Sequence, residues 1–120
     1  MNNRILSVEL LDRVTTPASA EVHIVVRTET HTPQTAVHGR LMGPRCLFSS
    51  TVEVAYPLQQ LSSAGQPDDD VTARVVVPEP SFWDPQSPFL YGGPVELWEG
   101  NRRCDVVQVR HGLRQLRCGP

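Results

Sequence analysis

Apolar residues recur at every second position through most of this chain, and that period leaves little choice of fold. Leu6, Val8 and Leu10 alternate with Ser7 and Glu9, and Val22, Ile24 and Val26 alternate with His23 and Arg27. The pattern repeats at Val37, Gly39 and Leu41, at Val52, Val54 and Tyr56, and at Val71, Ala73, Val75 and Val77. Near the end, Val95 and Leu97 flank Glu96, and Val107 and Val109 flank Gln108. Successive side chains of a strand point to opposite faces, so each run puts one set in a core and the other in water. β-Branched residues dominate the runs, and their stiff side chains suit a pleated surface.

Breakers separate the runs: Thr15-Thr16-Pro17, Thr32-Pro33, Gly43-Pro44, Pro57, the polar stretch Ser62 to Asp70, Pro78 with Pro80, and Gly92-Gly93-Pro94. Glu99-Gly100-Asn101-Arg102 reads as a hairpin turn. No window shows helical spacing, and eleven prolines would break most helices. Roughly seven to nine short strands in about a hundred residues predict an all-β, immunoglobulin-like antiparallel two-sheet β-sandwich, with a closed barrel as the alternative. Val22, Ile24, Val26, Val75 and Leu97 are the expected core. At 120 residues there is room for one hydrophobic core, so residues 1–120 read as a single domain, with Ser62 to Asp70 as a loop inside it.

Composition excludes several functions. All eleven basic residues are Arg, thirteen carboxylates outnumber them, and the net charge is -2. Nucleic-acid binding needs a concentrated positive surface, and the locally basic stretch Arg102 to Arg117 reads better as solvated strand faces. No apolar run approaches the ~20 residues that span a bilayer. Met1-Asn2-Asn3-Arg4-Ile5 lacks the features of a secretion signal, and the compartment stays open. Cys46, Cys104 and Cys118 have no CxxC spacing, which argues against a zinc site or a disulfide framework. His23, His31, His38 and His111 show no ligand spacing, and Asp68-Asp69-Asp70 lacks the spaced ligands and turn Gly of a calcium loop. Ser49, Ser50, Ser62 and Ser63 have no nucleophile-elbow context. No catalytic, cofactor-binding or metal-ligating residue is expected.

The most unusual stretch runs Pro78-Glu79-Pro80-Ser81-Phe82-Trp83-Asp84-Pro85-Gln86-Ser87-Pro88-Phe89-Leu90-Tyr91. Its prolines fix extended or turn geometry, and its aromatics offer large area to anchor it against the sandwich. Tyr91 falls just ahead of a late strand, where sandwich domains often bond a tyrosine hydroxyl to upstream backbone. A crossover loop pinned by its own aromatics is the expectation, with a sugar-stacking platform on Trp83 as the functional alternative. Arg114 is expected beside a carboxylate or a cluster of carbonyls, and Phe82 or Phe89 is expected to be exposed.

Here the pattern becomes specific. Trp83, Pro85, Pro88, Leu90 and Tyr91, followed by a strand, a hairpin and then His111-Gly112-Leu113-Arg114, resembles the immunoglobulin-like β-sandwich domain of glycoside hydrolase family 2. That group contains β-galactosidases, β-glucuronidases and β-mannosidases, and it shows Trp-x-Pro-x-x-Pro-x-Leu-Tyr followed further along by Phe-Gly-x-Arg. His111 stands where the family usually has Phe, and Gly92-Gly93-Pro94 interrupts the start of the strand after Tyr91. The resemblance implies a module between a jelly-roll sugar-binding domain and a catalytic (β/α)₈ barrel, in a parent chain that is a retaining O-glycosyl hydrolase. A barrel needs about 250 residues, so it lies outside this chain. The implied role for Trp83, Pro85, Pro88, Leu90, Tyr91, Gly112 and Arg114 is structural. Neighbouring domains of the same polypeptide are the implied partners, with no nucleic acid, membrane or cofactor. A stand-alone interaction domain and a carbohydrate-binding module are the competing readings.

Overall fold

A computed structural model describes residues 3–46, 51–61 and 70–114. These contain eight strands and no helix: β1 (Ile5–Thr15), β2 (Ser19–Thr28), β3 (Thr35–Arg45), β4 (Val54–Pro57), β5 (Gln59–Gln60), β6 (Asp70–Pro78), β7 (Leu90–Glu99) and β8 (Arg102–His111). They form two sheets, β1-β2-β6-β5 and β4-β3-β7-β8, with every neighbouring pair antiparallel. The chain is an immunoglobulin-like sandwich.

The central strands carry the core. β2 and β6 pair without interruption from Ser19↔Pro78 to Arg27↔Asp70, so the two-residue period never slips. Ala20, Val22, Ile24 and Val26 on one strand, and Val71, Ala73, Val75 and Val77 on the other, are all buried. Val37, Leu41, Tyr91, Val95 and Leu97 meet them from the opposite sheet. Each buried aliphatic side chain contributes about 1.5–3 kcal/mol of transfer free energy. The hairpin between β7 and β8 turns at Gly100-Asn101, where the φ of Gly100 is 60°, a conformation glycine adopts without a Cβ penalty.

Alternation fails at two edges. β1 holds an extra residue between the pairs Ile5↔Thr28 and Ser7↔Arg27, so Leu6 is displaced from the inner face and is 51% exposed. Ile5 packs against the core with Val8 and Leu10 instead. On the short edge strand β4, Tyr56 reaches the core while Val54 and the preceding Val52 are exposed. Period two sets which way a side chain points, and the depth of sheet behind it decides whether it is covered.

Two expected breakers lie inside strands. Gly43-Pro44 falls within β3 at a one-residue register shift between Met42↔Gly92 and Arg45↔Leu90. Gly92-Gly93-Pro94 falls within β7, and the ladder to β3 skips from Gly39↔Val95 to Met42↔Gly92 because proline has no N–H to give. The glycines let the strand continue: a Cβ on Gly92 would lie 2.6 Å from the Val109 carbonyl oxygen, and one on Gly93 would strike the Arg40 carbonyl. The expected loop from Ser62 lies outside the described residues up to Asp70, which opens β6.

Both flanks of the sandwich are closed. After β4 the chain crosses between sheets, with the Leu58 N–H donating to the Gly39 carbonyl and the Val37 N–H to Gln60 Oε1 at 2.9 Å. On the other flank the edges of β1 and β8 are joined by side chains. The Ile5 N–H donates to Asp105 Oδ2 at 2.9 Å, and Asp12 Oδ1 lies 2.6 Å from His111 Nε2. Such links occupy edges that would otherwise offer free pairing groups.

Candidate functional site

The segment between β6 and β7 carries the chain from one sheet to the other, and its own residues hold it in place. It leaves β6 through Glu79, whose φ of 49° is left-handed and whose N–H donates to the Ala18 carbonyl. The Ser81 N–H donates to the Tyr91 hydroxyl at 3.0 Å, with Tyr91 1% exposed. A buried phenol needs such a partner, and the expected bond to upstream backbone forms, although Tyr91 lies inside β7 rather than ahead of it. Asp84-Pro85-Gln86-Ser87 then makes a tight turn: Asp84 Oδ1 accepts from Gln86 N at 2.8 Å and Ser87 N at 2.7 Å. Asp in the first position and proline in the second are what such a turn favours. Pro88 then leads to Leu90 at the start of β7, and Phe82, Trp83, Pro88, Phe89 and Leu90 are all half-buried, so neither phenylalanine is exposed.

The residues after β8 close on this segment. The Trp83 N–H donates to the Leu113 carbonyl at 2.8 Å, and Leu113 is buried. Gly112 lies flat on the indole: a Cβ there would be 2.9 Å from Trp83 Cγ and Cδ1. The Arg114 guanidinium sits over the same ring, 5.6 Å from its centroid. Arg114 is expected beside a carboxylate or a cluster of carbonyls, and among the described residues its guanidinium forms no ion pair. Arg114 is exposed, and a hydrated guanidinium needs no buried counter-charge. The nearby carboxylate is Asp12, but its Oδ2 accepts from the Arg114 main-chain N–H at 3.1 Å while its Oδ1 meets His111. One residue of β1 thus ties down both the end of β8 and the strand-exit segment. Of the seven motif residues, Trp83, Leu90, Tyr91, Gly112 and Arg114 converge here, with Pro85 and Pro88 shaping the turn between them. The pairing of Asp12 with His111 has no local signal in the sequence, since the two lie 99 positions apart.

At the far end of the sandwich Glu99 forms a second cluster. Its Oε1 accepts from Asn3 Nδ2 at 2.9 Å and from the Thr35 hydroxyl at 2.7 Å, and its Oε2 accepts from the Thr32 hydroxyl at 2.7 Å. Burial by itself raises the carboxyl pKa, but the bonds from Thr35, Thr32 and Asn3, with His31 nearby, outweigh it and hold the pKa below the usual range. Asn3 is itself buried and also donates to the Thr30 carbonyl.

Among the described residues no group of three or more His, Cys, Asp or Glu side chains could hold a metal. Asp70 lies 3.5 Å from Arg27, while Asp68 and Asp69 are outside the described residues. Cys46 and Cys104 are free thiols, and Cys118 lies outside the description. At the motif end both oxygens of Asp12 are engaged, on His111 and the Arg114 main chain, and Asp84 Oδ1 is engaged on the turn backbone, while Glu79 is exposed.

An all-β domain with an internally braced crossover is the class this geometry defines. The family model described as Glycosyl hydrolases family 2 matches residues 4–114. The chain belongs to that family. Among solved structures it is similar to a β-glucuronidase of Bifidobacterium dentium complexed with coumarin-3-O-glucuronide, with TM-score 0.65, 13% identity, and coverage of 97% of this chain and 18% of that one. A β-glycosidase from Bacteroides vulgatus gives TM-score 0.63 at 16% identity, covering 97% of this chain and 14% of that one. A glycosyl hydrolase family 2 member from Bacteroides cellulosilyticus gives 0.56 at 18%, covering 92% and 15%. The chain therefore spans less than a fifth of these enzymes' length. No curated protein matches the sequence significantly.

Proposed function

We propose that this chain is a non-catalytic structural module of a longer family 2 glycoside hydrolase, holding a jelly-roll domain and a catalytic barrel of the same polypeptide in fixed relation. The observation that carries this reading is how the motif residues are used. Tyr91, Trp83, Gly112 and the Arg114 backbone are bonded or packed to one another and to β1, so the segment that leaves the sandwich is rigidly mounted on it. Retaining glycoside hydrolysis needs two carboxyl groups about 5–5.5 Å apart across a sugar bond, and of the acids beside this motif Asp84 is engaged in a turn and Asp12 in a strand tie. A sugar platform on Trp83 is disfavoured because Gly112 and Arg114 already lie against its ring.

The purified chain is expected to hydrolyse aryl galactosides, glucuronides and mannosides no faster than buffer. Turnover abolished by changing one Asp or Glu within it would overturn the reading. Calorimetric titration with the same sugars should show no binding; saturable binding would favour a carbohydrate-binding module.

A further inference from the structure

Two depressions meet on the motif end of the molecule. The larger, ≈ 860 Å³, is floored by bare backbone at Gly92 and Gly93 and walled by Met42, Pro88 and Leu90, with Arg45 and Arg110 on its rim. The smaller, ≈ 270 Å³, lies between Trp83, His111 and Arg114. Leu90 and Arg110 line both, so the two adjoin there and together are called the trough. Three guanidinium groups line it, and no Asp or Glu does, although acids outnumber arginines in the chain as a whole. Arg45 is answered from outside the trough by Glu53 at 2.9 Å. Among the described residues no ion pair reaches Arg110 or Arg114. At the opposite end of the same sheet, Arg103 lies 3.5 Å from Glu96.

We propose that this trough docks an acidic segment from another domain of the same polypeptide, with its carboxylates on Arg110 and Arg114 and an apolar side chain on Leu90 and the glycine floor. The proposal rests on the reading of the chain as a module of a longer enzyme, and it names the surface through which the module holds its neighbour. Arg pairs with carboxylates bidentately, which fixes orientation as well as position. A covalently attached partner is present at high effective concentration, so a shallow trough suffices where a free peptide would need a deeper one. Family 2 chains of which this one spans less than a fifth supply ample sequence for such a segment.

The absence of lysine from these 120 residues makes a direct test available. In the full polypeptide that carries this chain, R110K and R114K each place one amine in the trough. Carbodiimide then joins that amine to any carboxylate in contact with it, and peptide mass spectrometry locates the amide. Both variants are expected to couple to an Asp or Glu outside residues 1–120, whereas R103K couples to Glu96. Amides confined to this chain, or none at positions 110 and 114 while R103K reacts, would overturn the proposal. Amides between two copies would replace the partner with a second molecule of the protein, which also overturns it. A polypeptide with nothing outside these residues would remove the functional reading as well, so the two failures are distinguishable.

Discussion

At the Glu99 end of the sandwich one carboxylate gathers an amide and two hydroxyls, whereas at the Trp83 end an indole, a glycine and a buried phenol do most of the fastening. The first arrangement is polar and converges on a single ionised acceptor. The second spreads its cost over packing, proline-limited backbone and several separate hydrogen bonds. The Glu99 cluster thus weakens as its centre is protonated, and the Trp83 cluster loses a part at a time. β7 runs from one cluster to the other, about 30 Å at ~3.3 Å per residue.

The largest effect is expected from Trp83→Ala, which removes the surface under Gly112 and Arg114 and should cost about 3–5 kcal/mol in urea melts. A neutral result would mean that packing does not fasten this end. Glu99→Ala should follow at about 3 kcal/mol, because the buried Asn3 amide and the Thr35 hydroxyl lose their acceptor. Sites this far apart should act independently, so the double variant is expected to equal the sum of the singles within about 0.5 kcal/mol. A larger discrepancy would show that the two ends are coupled through β7.

The same contrast should appear in pH. The Glu99 carboxyl is held below its ordinary value in the folded protein, so its contribution is fully present above about pH 4.3 and is lost as pH falls through the folded value. Glu99→Gln should therefore flatten the acid limb of stability against pH, and an unchanged limb would assign acid loss to other carboxylates. Gly112→Ala is a smaller perturbation, about 1–3 kcal/mol, since a methyl must displace Trp83. Fluorescence of Trp83 should shift with it, and an unshifted spectrum with wild-type stability would show that the ring yields freely. Tyr91→Phe should cost least, about 0.5–1.5 kcal/mol, as it deletes only the bond from Ser81. A loss above that range would mean the hydroxyl also orders the crossover.

Residue by residue, legibility tracks how local the cause is. Val22, Ile24, Val26, Val75 and Leu97 were readable because central strands with unbroken register keep one face inward. Leu6 misled because a single extra residue in β1 turns its side chain outward, and nothing in the run Ile5 to Leu10 marks the bulge. Val52 and Val54 misled because alternation reports direction without reporting cover. The hydrogen bond to Tyr91 was readable in kind, from its place near the start of a late strand, but not in its donor, Ser81. For Arg114 the expectation is a carboxylate or a cluster of carbonyls; the Asp12 carboxylate meets its main-chain N–H, while the exposed guanidinium lies over Trp83.

Period, proline spacing and turn chemistry act through neighbours in the chain, and they were enough to indicate an antiparallel all-β fold, a hairpin at Gly100-Asn101 and a stiff crossover before Tyr91, while the choice of two sheets over a closed barrel fell to the tertiary structure. The pairing of Asp12 with His111, the gathering of Asn3, Thr32 and Thr35 around Glu99, and the acid-free trough beside Arg110 depend on which edges lie side by side after folding. Those contacts join positions up to about a hundred residues apart, and loop closure over such distances costs little more than over shorter ones. Chain separation therefore constrains such partners only weakly, and the packing of the two sheets selects them.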